Sequence, residues 1–113
     1  MHELALAESI ANIVEKERLK NSFSKVLSVY IKLGSLHEIV PDALQFGFDS
    51  LTQDTPLAGA NLKIEQIPIK GRCRQCSHEF VIEEFLFICG SCYSGDIEVI
   101  EGDELLITHI DVE

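Results

Sequence analysis

The chain has 113 residues, of which 46% are hydrophobic, and its formal net charge at neutral pH is −10. This length suits one ordinary domain or one small α/β unit with an insert. The hydrophobic content is enough for a core, but no apolar run approaches the length of a membrane span. A surface this acidic repels phosphates, which argues against nucleic acid as a partner. We therefore expect a cytoplasmic protein that binds neither nucleic acid nor a membrane.

The first third of the sequence predicts a helix followed by a strand. Leu6, Ile10, Ile13 and Val14 recur at helical spacing and predict an amphipathic helix over residues 4–20 that buries this face. After Asn21 and Ser22, apolar residues alternate with polar ones. This period of two predicts a strand with one buried face, ending at Gly34-Ser35.

A second helix and a second strand follow. Pro41 opens the helix at its first turn, where its missing N–H costs nothing, and the helix is predicted to run to about Gln53. Its predicted buried face is formed by Leu44, Phe48 and Leu51. The next strand begins near Leu62, and a change in apolar parity at Gln66 predicts a bulge or a bend. Pro68 places this part of the strand at an edge or at an exit from the sheet.

All the cysteines of the chain lie in two CxxC pairs, Cys73 and Cys76, then Cys89 and Cys92, with twelve residues between the pairs. Two such pairs can close one tetrahedral S4 metal site, for which structural zinc is the favoured ion and rubredoxin-like iron the alternative. Two disulfides are the remaining interpretation. We disfavour them because no apolar signal segment is seen ahead of Met1 and nothing suggests an oxidising compartment.

The cysteine segment is predicted to form a separate small unit. Residues 71–100 cannot bury a self-sufficient core, so the metal must supply folding energy, of the order of ~10 kcal/mol for structural zinc. Within this segment, Phe80–Ile82 and Phe85–Ile88 are interpreted as the two arms of a hairpin turned at Glu83-Glu84, with its aromatic side chains in a small core. Strands at 97–100 and 105–112 complete the chain.

The fold class predicted from this order is α+β: a small mixed sheet of about three strands carries two helices and a zinc-ribbon-like β insert. The first, second and last strands are expected to form the sheet. Residues 1–70 and 101–113 would make the α/β domain, and residues 71–100 the zinc-binding insert domain.

The start of the chain offers a second set of metal donors. A free amine at Met1, the imidazole of His2 and backbone nitrogens up to Glu3 can chelate one ion. Deprotonated amide nitrogens favour square-planar nickel(II) or copper(II) over zinc or magnesium. The alternative is that His2 is an ordinary exposed residue of a terminal tail.

The Met1-His2-Glu3 start of an amphipathic helix, combined with the two CxxC pairs, resembles the HypA/HybF family of hydrogenase maturation factors over the whole chain. The resemblance implies a nickel metallochaperone and not an enzyme. It implies that Met1 binds nickel through its amine, His2 through its imidazole alone or with its amide, and Glu3 through an amide nitrogen or as a nearby acidic contact. It also implies that structural zinc is bound by Cys73, Cys76, Cys89 and Cys92.

The same resemblance implies the partners. Nickel would pass to the large subunit of [NiFe]-hydrogenase with the help of a GTPase, HypB. This chain has no glycine-rich phosphate loop of its own. Urease maturation factors are further candidate partners, and a monomer or weak homodimer is expected. Two other functions stay open on the residues alone: a zinc-ribbon adaptor or nucleic-acid-binding module, and a small iron electron carrier.

One departure from the family pattern concerns histidines next to the cysteines. Some members carry a His beside each CxxC pair, and these imidazoles can enter the zinc shell. Here only His78 matches, and Tyr93 follows Cys92. We therefore expect His78 to face solvent or to lie outside the metal's ligand shell. His37 and His109 have no motif around them and are expected to be structural.

Overall fold

The computed structural model describes residues 2–113 and contains helices and strands arranged around two three-stranded sheets. In chain order the elements are α1 (Glu3–Asn21), β1 (Val26–Gly34), a 3₁₀ turn (Ser35–His37), α2 (Pro41–Thr52), β2 (Asn61–Ile67), β3 (Lys70–Cys73), β4 (Glu79–Val81), β5 (Ile97–Glu101) and β6 (Leu105–Val112). The predicted α+β class is confirmed. No helix in residues 2–113 is both long enough and apolar enough to cross a membrane.

The first sheet has the strand order β2-β1-β6. β1 runs parallel to β2, with Val29 opposite Leu62, and antiparallel to β6, with Tyr30 opposite His109. A parallel pair needs a crossover connection, and the 3₁₀ turn together with α2 provides it. The first, second and last strands therefore form one mixed sheet, as the sequence predicts.

The core lies between this sheet and the two helices. Its buried members are Leu6, Ala7, Ile10, Val14, Val26, Val29, Ile31, Leu33, Ile39, Leu44, Phe48, Leu57, Ala60 and Leu62. Two predicted core residues are wrong, because Ile13 is 52% exposed and Leu51 is 42% exposed. Ile13 lies at the rim of an open groove between α1 and β6. Beside Leu51, Thr52 is the buried residue, and its hydroxyl donates to the Phe48 carbonyl at 2.8 Å.

The second sheet holds the cysteine segment in the order β4-β3-β5, with both pairs antiparallel. β4 lies where the first hairpin arm is predicted, but its partner is β3 and the second arm, Phe85–Ile88, is not a strand. Glu84 and Phe85 both have left-handed backbone angles, with φ of 54° and 56°, which interrupt the extended chain. Phe85 is 44% exposed, so its predicted place in a small core is also wrong.

A close backbone crossing joins the two sheets. β2 stays in register with β1 through Gln66 and Ile67, so the bulge or bend predicted at Gln66 is wrong; the chain leaves the first sheet at Pro68, as predicted, and β3 starts the second sheet at Lys70. At the crossing, a Cβ added to Gly34 would lie 2.0 Å from the Gly102 carbonyl oxygen. Gly102 itself has φ of +104°, and a Cβ there would lie 2.5 Å from the Ile69 Cα. Only glycine fits at these two positions. The proposed boundaries at residues 70 and 101 stay a prediction.

Candidate metal centre

The four cysteines converge on one point. The Sγ atoms of Cys73, Cys76, Cys89 and Cys92 all lie within 4.8 Å of one another. The Cys73 and Cys92 sulfurs are 3.5 Å apart, and those of Cys76 and Cys89 are 3.6 Å apart. These thiols are free, so the disulfide interpretation does not describe this fold. A tetrahedron with zinc–sulfur bonds of about 2.3 Å has sulfurs about 3.8 Å apart, and the donor set fits such an ion.

The second CxxC pair forms a turn whose amides point at the first sulfur of the pair. The N–H groups of Ser91 and Cys92 each donate to the Cys89 Sγ at 3.4 Å. These two donors, that of Cys92 first, lower the pKa of Cys89 to about 6. The Tyr93 N–H closes the turn by donating to the Cys89 carbonyl at 2.9 Å. The backbone therefore stabilises a thiolate at this position before any cation is considered.

Like charges limit how many of the four thiols ionise together. Backbone donors, the Cys76 N–H first, lower the pKa of Cys73. The pKa of Cys92 is nevertheless raised to about 12, because neighbouring thiols, Cys73 first, outweigh the Ser94 N–H that lowers it. The pKa of Cys76 is also raised, since Cys89 outweighs the His78 N–H. Four thiolates this close need a cation between them, which is what an S4 site supplies.

The residues next to the cluster hold the first CxxC pair, here called the first knuckle, in place. The Cys73 N–H donates to the His78 carbonyl at 2.9 Å, and the Arg74 N–H donates to the Asp96 carbonyl at 2.9 Å. The Arg74 guanidinium also pairs with the Asp96 carboxylate at 3.0 Å, which ties the knuckle to the approach of β5. The His78 ring is exposed and stacks on Phe80, with ring centroids 5.6 Å apart.

The N-terminal candidate donors lie at the start of α1. Met1 lies outside the described residues. His2 is the N-cap of α1, and its Nδ1 accepts a hydrogen bond from the Leu4 N–H at 3.3 Å. The helical ladder begins with the Leu6 N–H, which donates to the His2 carbonyl at 3.1 Å. The amides of His2 and Glu3 precede this ladder, so the helix does not need them as donors.

The Glu3 side chain reaches across to the second helix. Its Oε1 accepts from the Val40 N–H at 3.3 Å. The pKa of Glu3 is lowered, first by its own backbone N–H and then by that of Val40. Because Val40 is the N-cap of α2, both helices begin at the same end of the layer.

The two remaining histidines lie in different places. The His37 Nε2 lies 2.8 Å from the Asp103 carbonyl oxygen and links the 3₁₀ turn to the crossing between the sheets. His109 stacks on Tyr30, with centroids 3.9 Å apart, on the sheet face opposite the helices. Neither lies among the cysteines.

The HypA family model, described as hydrogenase/urease nickel incorporation metallochaperone, matches residues 1–112. The chain belongs to the HypA family. Hydrogenase maturation factors HypA from Desulfitobacterium hafniense and Trichodesmium erythraeum are 40% and 42% identical to it. In both cases the match covers 100% of this chain, and it covers 99% and 96% of the two relatives.

Solved structures agree on the HypA fold. The solution structure of the Ni metallochaperone HypA from Helicobacter pylori aligns with a TM-score of 0.67 at 21% identity, covering 99% of this chain and 97% of that one. A second solution structure of a HypA protein aligns with a TM-score of 0.71 at 21% identity, covering 100% and 97%. The family recognised from the sequence is confirmed. It is a metallochaperone family concerned with hydrogenase maturation, which favours that function over the adaptor and the electron carrier.

Sequence reasoning missed two features of this region. Val40 contributes its backbone N–H to Glu3, and no side-chain pattern reports that contact. The glycines at 34 and 102 are visible in the sequence as turn residues, but their approach to each other depends on tertiary structure. The sequence did contain one signal for the first feature. Val40 directly precedes Pro41 at the start of α2 and has no side chain that can cap the helix, so an acceptor has to come from elsewhere.

Proposed function

We propose that this HypA-family protein binds one nickel(II) ion at its N-terminus and passes it, with a HypB-type GTPase, to the large subunit of a [NiFe]-hydrogenase. The observation that carries the proposal is a whole-chain family match together with the position of His2 and Glu3. Their amides come before the first helical hydrogen bond, so they can bind a metal without breaking the helix.

The sizes of the chelate rings decide which nitrogen atoms can bind the same nickel ion. The amine of residue 1 and the His2 amide nitrogen close a five-membered ring with the metal. The same amide and the His2 Nδ1 close a six-membered ring, whereas Nε2 lies too far round the imidazole. Because Nδ1 now accepts from the Leu4 N–H at 3.3 Å, nickel replaces that capping bond. These three nitrogens fill three corners of the square that nickel(II) with deprotonated amides prefers, and the fourth corner takes a further donor.

We assign the four cysteines to resident structural zinc. Four thiolates fill the tetrahedron and leave no position open for substrate or water. Cys73 and Cys89 are buried and Cys76 and Cys92 are exposed, so one side of the ion would be closed by the second sheet. Nickel cargo at the N-terminus and zinc at the cysteines are then two separate sites with different ligand chemistry.

Hydrogenase is the proposed client, and urease is a further one because the family description names both. For the GTPase we propose a docking surface on the outer face of α1, defined as Glu8, Asn12 and Lys16, which are exposed. This face adjoins the proposed nickel donors along one helix, so a partner bound there lies close to the cargo.

Calorimetric nickel titration of the untagged protein tests the nickel site. We expect one ion per chain, loss of at least 90% of the binding in His2→Ala, and a similar loss when one residue is added ahead of Met1, since this moves the amine away from His2. His109→Ala is the matched control, because that ring lies on the opposite face of the sheet. Zinc content should be unchanged in every variant. Undiminished stoichiometric binding by the extended protein would exclude the N-terminal chelate.

A further inference from the structure

The N-terminus of α2 lacks a cap of its own. Its N-cap residue is Val40, whose side chain has no acceptor. Capping groups normally come from Ser, Thr, Asp or Asn at this position. Here the acceptor near the helix start comes from α1 instead, as the Glu3 Oε1 accepts from the Val40 N–H at 3.3 Å.

We propose that the Glu3 carboxylate is a positioning group for nickel and not a nickel ligand: by accepting from Val40 it holds the start of α1, and so the donors of His2 directly before it, against the start of α2. This inference rests on the proposed nickel site. It concerns the side chain of Glu3 alone and leaves its backbone nitrogen available to the metal.

The carboxylate is already engaged by groups that the fold supplies. The Val40 N–H donates to it at 3.3 Å. Two helix N-termini, each with a partial positive charge, lie at this end of the layer and favour an anion there. A carboxylate that turned towards nickel would give up these interactions.

Val40, whose N–H donates to the Glu3 carboxylate, lies in a well-fixed part of the structure. The Val40 carbonyl accepts from the Leu44 N–H at 3.0 Å, the first hydrogen bond of α2. Ile39, directly before it, is buried in the main core. A tether from Glu3 to Val40 therefore connects the N-terminus to the rigid part of the protein.

The helices also approach closely just beyond the tether. A Cβ added at Gly47 would lie 3.6 Å from the Ala7 Cβ and 3.6 Å from the Leu4 Cδ1. With no side chain at position 47, α1 lies against α2 here, and this brings Glu3 within reach of Val40. Leu4 and Ala7 pack the first two turns of α1 against α2, and the Glu3 hydrogen bond adds a polar contact at the very start of the helix.

Two substitutions remove the same hydrogen bond from opposite sides. Glu3→Ala removes the acceptor. Val40→Pro removes the donor, and the observed φ of −85° at this position is close to the value that proline requires. Val40→Ala is the matched control, since it shortens the same 56% exposed side chain and keeps the N–H. Glu3→Gln keeps an acceptor oxygen but removes the charge.

The experiment measures the nickel dissociation constant of the untagged, zinc-loaded, full-length protein, together with its melting temperature. We expect Glu3→Ala and Val40→Pro each to weaken nickel binding by about three- to tenfold, as for one exposed hydrogen bond of ordinary net strength. The double variant should bind no more weakly than either single variant, because both lose one interaction. Glu3→Gln and Val40→Ala should stay within about twofold of the unmodified protein on the same scale.

The alternatives give different results. Loss of binding in Glu3→Gln equal to that in Glu3→Ala would identify the carboxylate as a ligand and overturn the proposal. Unchanged nickel affinity in Val40→Pro, together with weakened nickel affinity in Glu3→Ala, would also overturn it. Additive losses of affinity in the double variant would do the same. If the unmodified protein binds no nickel, the proposed function fails first and this inference fails with it.

Discussion

Removing one zinc ligand should unfold the cysteine segment and leave the helical layer folded. Cys76→Ser is the most suitable change, because Cys76 is exposed and its replacement takes no buried side chain out of a core. Serine is a poor zinc ligand, so the site loses one of the four sulfurs that lie within 4.8 Å of one another. Any loss of structure then reports on the metal and not on packing.

The size of the expected destabilisation follows from how little apolar surface the cysteine segment buries. Among residues 71–100, the one buried aliphatic side chain is Ile82, and the buried Ile69 lies just before the segment. Burying both contributes about 3–6 kcal/mol, whereas structural zinc contributes of the order of ~10 kcal/mol or more. The main core contains no residue of the segment among those that the structure describes. Loss of the metal therefore removes the largest stabilising term of this segment and none of the main core.

Amide hydrogen exchange measures the two regions separately. We expect the Cys73 and Ile82 amides, which donate to His78 and Ile69, to lose protection by at least about 100-fold, a change of roughly 2.8 kcal/mol. Amides of β1 such as Val29 and Ile31 should change by less than about threefold. Ser91→Ala in the second knuckle is the control, since it keeps all four sulfurs and the backbone donor to Cys89. Equal protection of the whole chain in Cys76→Ser would show that metal does not hold this segment.

Two further predictions concern the crossing and the docking surface. Gly34→Ala should lower the free energy of unfolding in urea by more than about 3 kcal/mol, because its Cβ would overlap the Gly102 carbonyl. Gly90→Ala, where a Cβ meets open space, should change it by less than about 0.5 kcal/mol. Equal stability of the two variants would contradict this description of the crossing. Glu8→Lys and Lys16→Glu should each weaken the complex with the GTPase in a pull-down without lowering the melting temperature, and an unaffected complex would exclude the outer face of α1.

Glu15, directly before Lys16 on α1, is not suitable for the docking test. Its carboxylate accepts from the Arg18 Nε at 3.0 Å, and this bond lowers the pKa of Glu15. Arg18 in turn donates to the Phe23 carbonyl at 2.9 Å, beyond the end of α1. Charge reversal at Glu15 would therefore disturb the end of the helix as well as any docking surface.

The sequence predicted well what depends on local signals. Pro41 marks the start of α2, the alternation up to Gly34 marks β1, and the spacing of the CxxC pairs predicts one cluster of sulfurs. It was wrong where apolar content does not mean burial. Phe85 to Ile88 look like a strand, but consecutive left-handed residues at 84 and 85 turn the chain, and Phe85, Leu86 and Ile88 remain exposed.

The contacts that matter for the proposed nickel site were beyond sequence reasoning for a different reason. Glu3 and Val40 are 37 positions apart and meet through a side chain and a backbone N–H, so neither residue type signals the pair. Likewise, histidine is not among the usual N-cap residues, and the bond from the Leu4 N–H to His2 Nδ1 is visible only in three dimensions. Long-range backbone contacts are specified by the packing of α1 on α2, which no local pattern encodes.

Zinc at the cysteines would stabilise a whole segment of the fold, whereas nickel at the N-terminus would stabilise very little of it. This difference suits a resident zinc ion and a transported nickel ion. Two of the four sulfurs are buried, and backbone amides already stabilise the thiolate at Cys89, so release of zinc would leave crowded thiols in a segment with little core. His2 is exposed, the amides of His2 and Glu3 precede the helical ladder, and the one bond that nickel would displace is a 3.3 Å cap on an exposed turn. An exposed hydrogen bond of this kind contributes about 1 kcal/mol or less. Nickel bound at the proposed site would therefore leave while α1 stays folded, which the proposed transfer to another protein requires.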